Sequence, residues 1–215
     1  MTMHITNLYG MNPKSTAAIA QQNVARIARE LGFTEMDLFV YPVESDTDNE
    51  LSKRLDGITS AVSDGDLVIF QSPSWNALRY DKALLDVIRL HRDVKLAIFI
   101  HDVAMMMFEG VPNYKYLMEI YNMADLVIVP SEPMLEFLRG KGLTVEKVLI
   151  QSLWDLPFSG ELKIPGFRRE IFFPGSPQRF GFVSDWNYDV PLRLFTSEDF
   201  PLKGQNICRD GWKNT

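Results

Sequence analysis

Six short runs of apolar residues, rich in β-branched side chains, recur at fairly even intervals, at residues 4–8, 36–40, 67–70, 96–100, 126–129 and 148–150. Each is apolar on both faces, as a parallel strand covered by helices on both sides must be. Between the runs lie stretches of helical period. In the first, Ala20, Val24, Ile27, Ala28 and Leu31 share a face, Arg26 and Arg29 point away, and Gly32 is placed to close the helix. Asn12-Pro13 reads as its entry, a capping side chain followed by proline. A second helix follows Ser45-Asp46-Thr47 and turns Leu51, Leu55, Ile58 and Val62 inward. Further helical stretches lie near residues 82–91, 114–123 and 133–141. This alternation predicts an α/β fold, a Rossmann-like and mostly parallel sheet with right-handed crossovers.

The character changes after Trp154-Asp155-Leu156-Pro157. The expected organisation is a first domain over residues 1–157, a linker over 158–168 and the incomplete start of a second α/β domain over 169–215. Two strands are expected in this last segment, at 169–173 and 192–196, separated by Pro174-Gly175-Ser176-Pro177. Two strands and a tail cannot bury a core alone, so the segment either packs back on the first domain or begins another.

Composition narrows the function. A net charge of -6 argues against nucleic acid as the main partner. A single cysteine, Cys208, builds neither a disulfide framework nor a zinc site and fits a reducing compartment. The start lacks a basic region followed by an apolar stretch, and the most apolar segment, 96–108, is interrupted by His101-Asp102. A cytoplasmic protein without a membrane span is expected.

In an open parallel sheet, ligands bind beyond the carboxyl ends of the strands. The residues following the runs are polar and aromatic: Lys14, Ser15 and Thr16 after the first, Gln71, Trp75 and Asn76 after the third, His101 and Asp102 after the fourth. Lys14-Ser15-Thr16 opens a helix, so free amides, the helix dipole and the lysine favour an anion there. The bland alternative is ordinary helix capping. The turn is neither a phosphate loop nor a dinucleotide fingerprint, because the required glycines are missing. Asp102, partly desolvated beside His101, has the setting of a general base. The competing reading has His101 bonded to nearby backbone and Asp102 capping the next helix. Arg179, just past a turn that ends a strand, either grips a pyrophosphate with a bidentate fork or is a surface arginine beside Phe180. Asp46-Thr47-Asp48 has the spacing of a metal-binding pair, but Asn49-Glu50 and the helical run behind it favour capping, and no metal site is expected.

Several motifs stand together in order: Asn7-Leu8-Tyr9-Gly10, Lys14-Ser15-Thr16, Ser45-Asp46-Thr47-Asp48, Gln71-Ser72-Pro73-Ser74-Trp75-Asn76, Ile100-His101-Asp102-Val103, Trp154-Asp155 and Phe173-Pro174-Gly175-Ser176-Pro177-Gln178-Arg179-Phe180. With them the chain resembles the glucosyltransferases of accessory secretion loci that modify serine-rich repeat adhesins in Gram-positive bacteria. The resemblance implies a two-Rossmann (GT-B) glycosyltransferase and a UDP-sugar donor, with glucose the expected sugar. It further implies an acceptor glycoprotein already bearing N-acetylglucosamine on serine or threonine, a homo-oligomer, and no metal or other cofactor. By resemblance, Thr16 and Arg179 contact UDP, and the strand ends of the first domain hold the acceptor. In this reading Lys14, Ser15, Thr16 and Arg179 neutralise the departing UDP. Gln71, Trp75 and Asn76 orient the acceptor sugar, and Asp102, with His101, takes its hydroxyl proton in an inverting transfer. Family members continue for much of another domain, so this chain is expected to lack a complete donor site and to transfer weakly or not at all alone. Two other readings remain: a non-catalytic module that binds the glycopeptide or a partner, and a plain nucleotide-binding domain of flavodoxin-like topology.

Overall fold

The computed structural model describes residues 1–12, 15–107, 113–152, 160–161, 166–178, 180–196 and 200–210. The chain divides into two compact units, Met1–Phe158 and Ser159–Thr215.

In the first unit, β1 (Met3–Tyr9), α1 (Thr16–Glu30), β2 (Thr34–Phe39), α2 (Asp48–Thr59), β3 (Leu67–Ser72) and α3 (Leu78–Ile88) follow one another. Then come β4 (Lys95–Ile100), α4 (Ala104–Met107), α5 (Tyr114–Tyr121), β5 (Leu126–Val129), α6 (Glu132–Gly140) and β6 (Val148–Ile150). The six strands form one parallel sheet in the order β2-β1-β3-β4-β5-β6. The α/β reading and all six apolar runs are thereby borne out. The central strand β4 is buried at every position after Lys95, whereas the edge strand β2 alternates and turns Glu35 and Asp37 away from the core.

The chain reverses direction across the sheet after β2, and right-handed crossovers then put α1 on one face and α2, α3 and α5 on the other. The larger core lies on the second face, where Leu51, Leu55, Leu84, Leu85, Ile88 and Tyr121 meet Phe70, Ile98, Ile100 and Val127.

Helix α1 corrects the expected inward face. Its buried residues are Ala18, Gln21, Ala25 and Ala28, while Ile27 is 39% and Leu31 69% exposed. Three alanines along one stripe let the helix lie close on the sheet, and the larger apolar side chains turn to the flanks. The entry moves as well. Ser15, not Asn12, is the residue before the first helical turn, and the Asn12 carbonyl accepts from the Ser15 amide (2.8 Å). Gly32, at φ +90°, ends the helix as expected, with the Phe33 amide bonding the Ala28 carbonyl (3.0 Å).

At α2 the capping reading of Asp46-Thr47-Asp48 holds. Thr47 accepts from the Glu50 amide (3.3 Å), Glu50 reaches back to the Thr47 amide (2.8 Å), and Asp46 is taken by the Tyr41 hydroxyl (2.7 Å) and Arg54 (2.8 Å). Thr47→Ala removes one arm of this capping box and is expected to cost about 1 kcal/mol in urea unfolding.

The second unit carries its own three-stranded parallel sheet, β7 (Ile171–Pro174), β8 (Leu192–Phe195) and β9 (Ile207–Asp210), with β8 central. The third strand was not expected, because 207–210 mixes Cys208, Arg209 and Asp210 with one aliphatic residue. Pairing to β8 holds it, and Arg193 on β8 bonds Asp210 (2.7 Å). Val183, Leu192 and Leu194 are the buried centre of this unit, with Phe173, Trp186, Leu202 and Ile207 packed around them.

Candidate functional site

β1 lies between β2 and β3, so the chain leaves neighbouring strands toward opposite faces: after β1 to α1, after β3 to α3. A crevice opens at such a switch point beyond the strand ends, where small ligands bind in open α/β sheets. Ser15 and Thr16 stand on one side of it and the 73–77 loop on the other. Gln21 of α1 bridges them, donating from Nε2 to the Pro73 carbonyl (2.7 Å). Ser15 makes no capping bond with its side chain, and the first turn of α1 holds no acidic residue. Lys14, Arg179 and the Trp154-Asp155 motif lie outside the described residues.

Gln71 fixes the chemistry of His101. Its side chain is fully buried, and its Nε2 donates to the carbonyls of Thr6 (2.6 Å) and Gln21 (3.1 Å). Two carbonyls at that atom identify it as the amide nitrogen, so the amide oxygen faces His101 Nε2 at 2.8 Å. His101 Nε2 therefore carries the proton, and Nδ1 carries the lone pair. Burial alone lowers the imidazole to about 4, which keeps it neutral at physiological pH. The ring stacks on Phe99 at 4.7 Å, on the α1 side of the sheet.

Asp102 is directed to the other side, within electrostatic reach of Tyr121 on α5. Half-buried, its carboxyl is raised above the ordinary range by desolvation. The two residues expected to act together thus belong to different faces. Asn76 is engaged by the end of β2: it accepts from the Tyr41 amide (3.1 Å) and donates to the Phe39 carbonyl (3.1 Å). Trp75 sits at φ +60°, a left-handed backbone held by the surrounding loop. Ser131, after β5, caps α6 by accepting from the Met134 amide (3.4 Å).

Trp75 and Asn76 also line a cavity of about 340 Å³ at the ends of β3 and β4. Its walls include Pro73, Leu78, Ala104, Met105 and Leu117, and its polar groups come from Ser72, Asp81 and Tyr121. Ser72 Oγ and the Tyr121 hydroxyl bond each other (2.9 Å), and Ser74 Oγ donates to Asp81 Oδ1. Asp81 is 2% exposed, and burial raises its carboxyl from 3.8 to about 7. Ser72 stood in the strand-end motif, but sequence reasoning missed Asp81 and Tyr121, although Asp81 carried a signal. It occupies the 81, 84, 85, 88 stripe of α3, where an acid replaces the expected apolar side chain.

Among the described residues, no group of three or more His, Cys, Asp or Glu is placed to hold a metal ion, and no helix is long and apolar enough to cross a membrane.

Comparison with known proteins assigns the chain. The family model described as "Glucosyltransferase 3-like, N-terminal domain" matches residues 2–153. A protein named Glucosyltransferase 3 from Streptococcus parasanguinis is 42% identical, with 99% of this chain aligned to 64% of that relative. Another of the same name, from Streptococcus gordonii, is 44% identical over the same shares. The chain spans about 64% of the length of these curated relatives. Because the domain model covers the whole six-stranded sheet and the switch-point crevice, this chain belongs to the glucosyltransferase 3-like family.

Proposed function

We propose that the chain is the acceptor-side part of a metal-independent glycosyltransferase that moves glucose from UDP-glucose to a serine- and threonine-rich glycoprotein already bearing N-acetylglucosamine. We place it in the cytoplasm, as a homo-oligomer. The observation that carries the reading is the switch point of the sheet between β1 and β3, where α1 starts without a side-chain cap and its Gln21 bonds the Pro73 carbonyl. The name of the relatives, Glucosyltransferase 3, supports glucose as the transferred sugar.

The donor's phosphates rest against the first amides of α1 and the hydroxyls of Ser15 and Thr16, with Lys14, next to them in the sequence, adding charge. Fixed donors aimed at the departing phosphate do there what a metal ion does elsewhere. The base is Asp102 rather than His101. Desolvation strengthens the carboxylate as a proton acceptor, while the same effect weakens the imidazole. His101, held by Gln71, then acts as a neutral wall of the crevice.

Calorimetric titration of the chain with UDP, and separately with a peptide carrying N-acetylglucosamine on serine, tests the reading. Both should bind, and Thr16→Ala should weaken UDP by about tenfold, as expected for one lost hydrogen bond to a charged group. In a full-length version that carries the second domain, Asp102→Asn should leave both affinities unchanged and lower glucose transfer by about a hundredfold or more. Glycopeptide binding without any UDP binding would favour a non-catalytic module. Binding of neither rejects the proposal.

A further inference from the structure

The cavity on the α3 and α5 side of the sheet has no part yet in the reaction above. Its chemistry is unusual. Among the described residues Asp81 is the one charged residue in its lining, and apart from Ser72 and Asn76 the walls around it are aliphatic or aromatic. A phosphate has no cation there to pair with, and a purely hydroxylated surface would leave its donors and acceptors against hydrocarbon. A buried carboxyl in such a setting is a hydrogen-bond donor seeking a neutral acceptor. Ser74 holds the carboxyl through both its hydroxyl and its backbone amide, which fixes the group in place at the cavity wall. The ligand should therefore combine a carbonyl oxygen with a small apolar group. The volume, about 340 Å³, lies within the range of small-molecule sites.

We propose that this cavity is the subsite for the 2-acetamido group of the acceptor sugar, with Asp81 donating a hydrogen bond to the acetamido oxygen and Leu78 and Leu117 packing its methyl. The inference rests on the acceptor reading above and deepens it, because it names the groups that distinguish N-acetylglucosamine from glucose. The placement suits the chemistry. Ala104 and Met105 of the cavity wall stand two and three positions after Asp102 in the chain, so a sugar anchored by its acetamido arm lies beside the proposed base. Trp75 offers an aromatic wall for the sugar's apolar face.

Donation by Asp81 requires its protonated form, so binding must follow pH. The carboxyl titrates at about 7 because it is desolvated; Ser74 pulls in the opposite direction. The titratable groups around it are Tyr80 on α3 and Tyr121 on α5, both held far above neutrality by burial, and Asp102 beyond Tyr121. Neither tyrosine changes charge near neutral pH. Asp102 shifts upward too, but its own protonation removes a base rather than a binding group.

The test uses the 215-residue chain with methyl N-acetyl-β-D-glucosaminide and methyl β-D-glucoside as probes, followed by calorimetry and saturation-transfer NMR at pH 6 and pH 8.5. The acetamido sugar should bind at least tenfold more tightly than the glucoside at pH 6, with its acetamido methyl giving the strongest transfer. Its affinity should fall about tenfold or more by pH 8.5, where the carboxyl has lost its proton. Asp81→Asn should bind equally at both pH values, because the asparagine amide donates throughout, and Asp81→Leu should lose the preference. If Asp81→Leu fails to fold, the flat pH response of Asp81→Asn still decides. Equal binding of the two sugars, or a wild-type affinity indifferent to pH, overturns the proposal. Should the glycopeptide bind with neither feature, the subsite is wrong and the acceptor reading stands; should no acetamido sugar or glycopeptide bind at all, both fall.

Discussion

Asp81→Asn is expected to stabilise the chain by about 4 kcal/mol more at pH 8 than at pH 4, measured as the difference from wild type in urea unfolding. The folded-state carboxyl titrates at about 7 against 3.8 for an ordinary one, so the folded protein holds the proton more tightly than the unfolded chain. The stability that this proton brings is fully present below pH 4, declines as pH rises between 4 and 7, and is gone above. That rise in proton affinity corresponds to about 4 kcal/mol, a ceiling that applies because the group is fully buried and unscreened. Asparagine keeps the shape and the bond from Ser74 but has nothing to ionise. Carboxylates that shift the other way, such as Asp66, lowered to about 2 by the Thr2 amide and His4, affect both proteins alike and cancel in the difference. A stability difference that stays flat from pH 4 to pH 8 would mean that Asp81 is ionised and solvated throughout.

Gln71→Leu should lower stability by about 2–4 kcal/mol although it preserves volume. Leucine fills the same space, so the loss is not a cavity effect. It comes from the partners left behind: the Thr6 carbonyl and the His101 Nε2–H keep their desolvation and lose their bonds. The nitrogen shifts of His101 add a second readout. In wild type they should show a neutral ring protonated at Nε2 across the neutral range, and in the variant that single form should give way to a mixture. A cost under about 1 kcal/mol with an unchanged ring would show that the network does not hold the imidazole.

Much of the frame was open to reading before any coordinates. The inner runs are apolar because a parallel sheet wrapped by helices has no wet face there, as at β4, while the edge strands β2 and β6 keep exposed positions. Position along a helix was harder. At α1 the large side chains Val24, Ile27 and Leu31 looked like the buried stripe, yet the sheet takes the alanines, since close approach can outweigh bulk. At α3 the expected start at residue 82 left out Asp81 by one position, and with it the acid on the buried stripe. A helix beginning at Leu78 would have exposed the anomaly at once. Gln71, Trp75, Asn76, His101 and Asp102 do stand at or just past strand ends, but which face each one serves depends on register and on the direction of the crossovers. Gln71 and His101 fall toward α1, Ser72 and Asp102 toward α5. No local pattern separates such neighbours. The bond from Asn76 to the end of β2 is likewise invisible in sequence, because it joins residues 35 positions apart.

Gly10 turns at φ +84° where the backbone of Val40 passes so near that a methyl carbon would meet its oxygen at 3.2 Å. Two loops that leave adjacent strands are thus pressed backbone to backbone, with no side chain to cushion them. One loop leads to Ser15 and Thr16, and the other is clasped by Asn76. Evolution can lengthen or recolour either loop, but it cannot thicken this seam without prying apart the segments that follow β1 and β2. Gly10 is therefore the gauge that sets how closely those two segments lie.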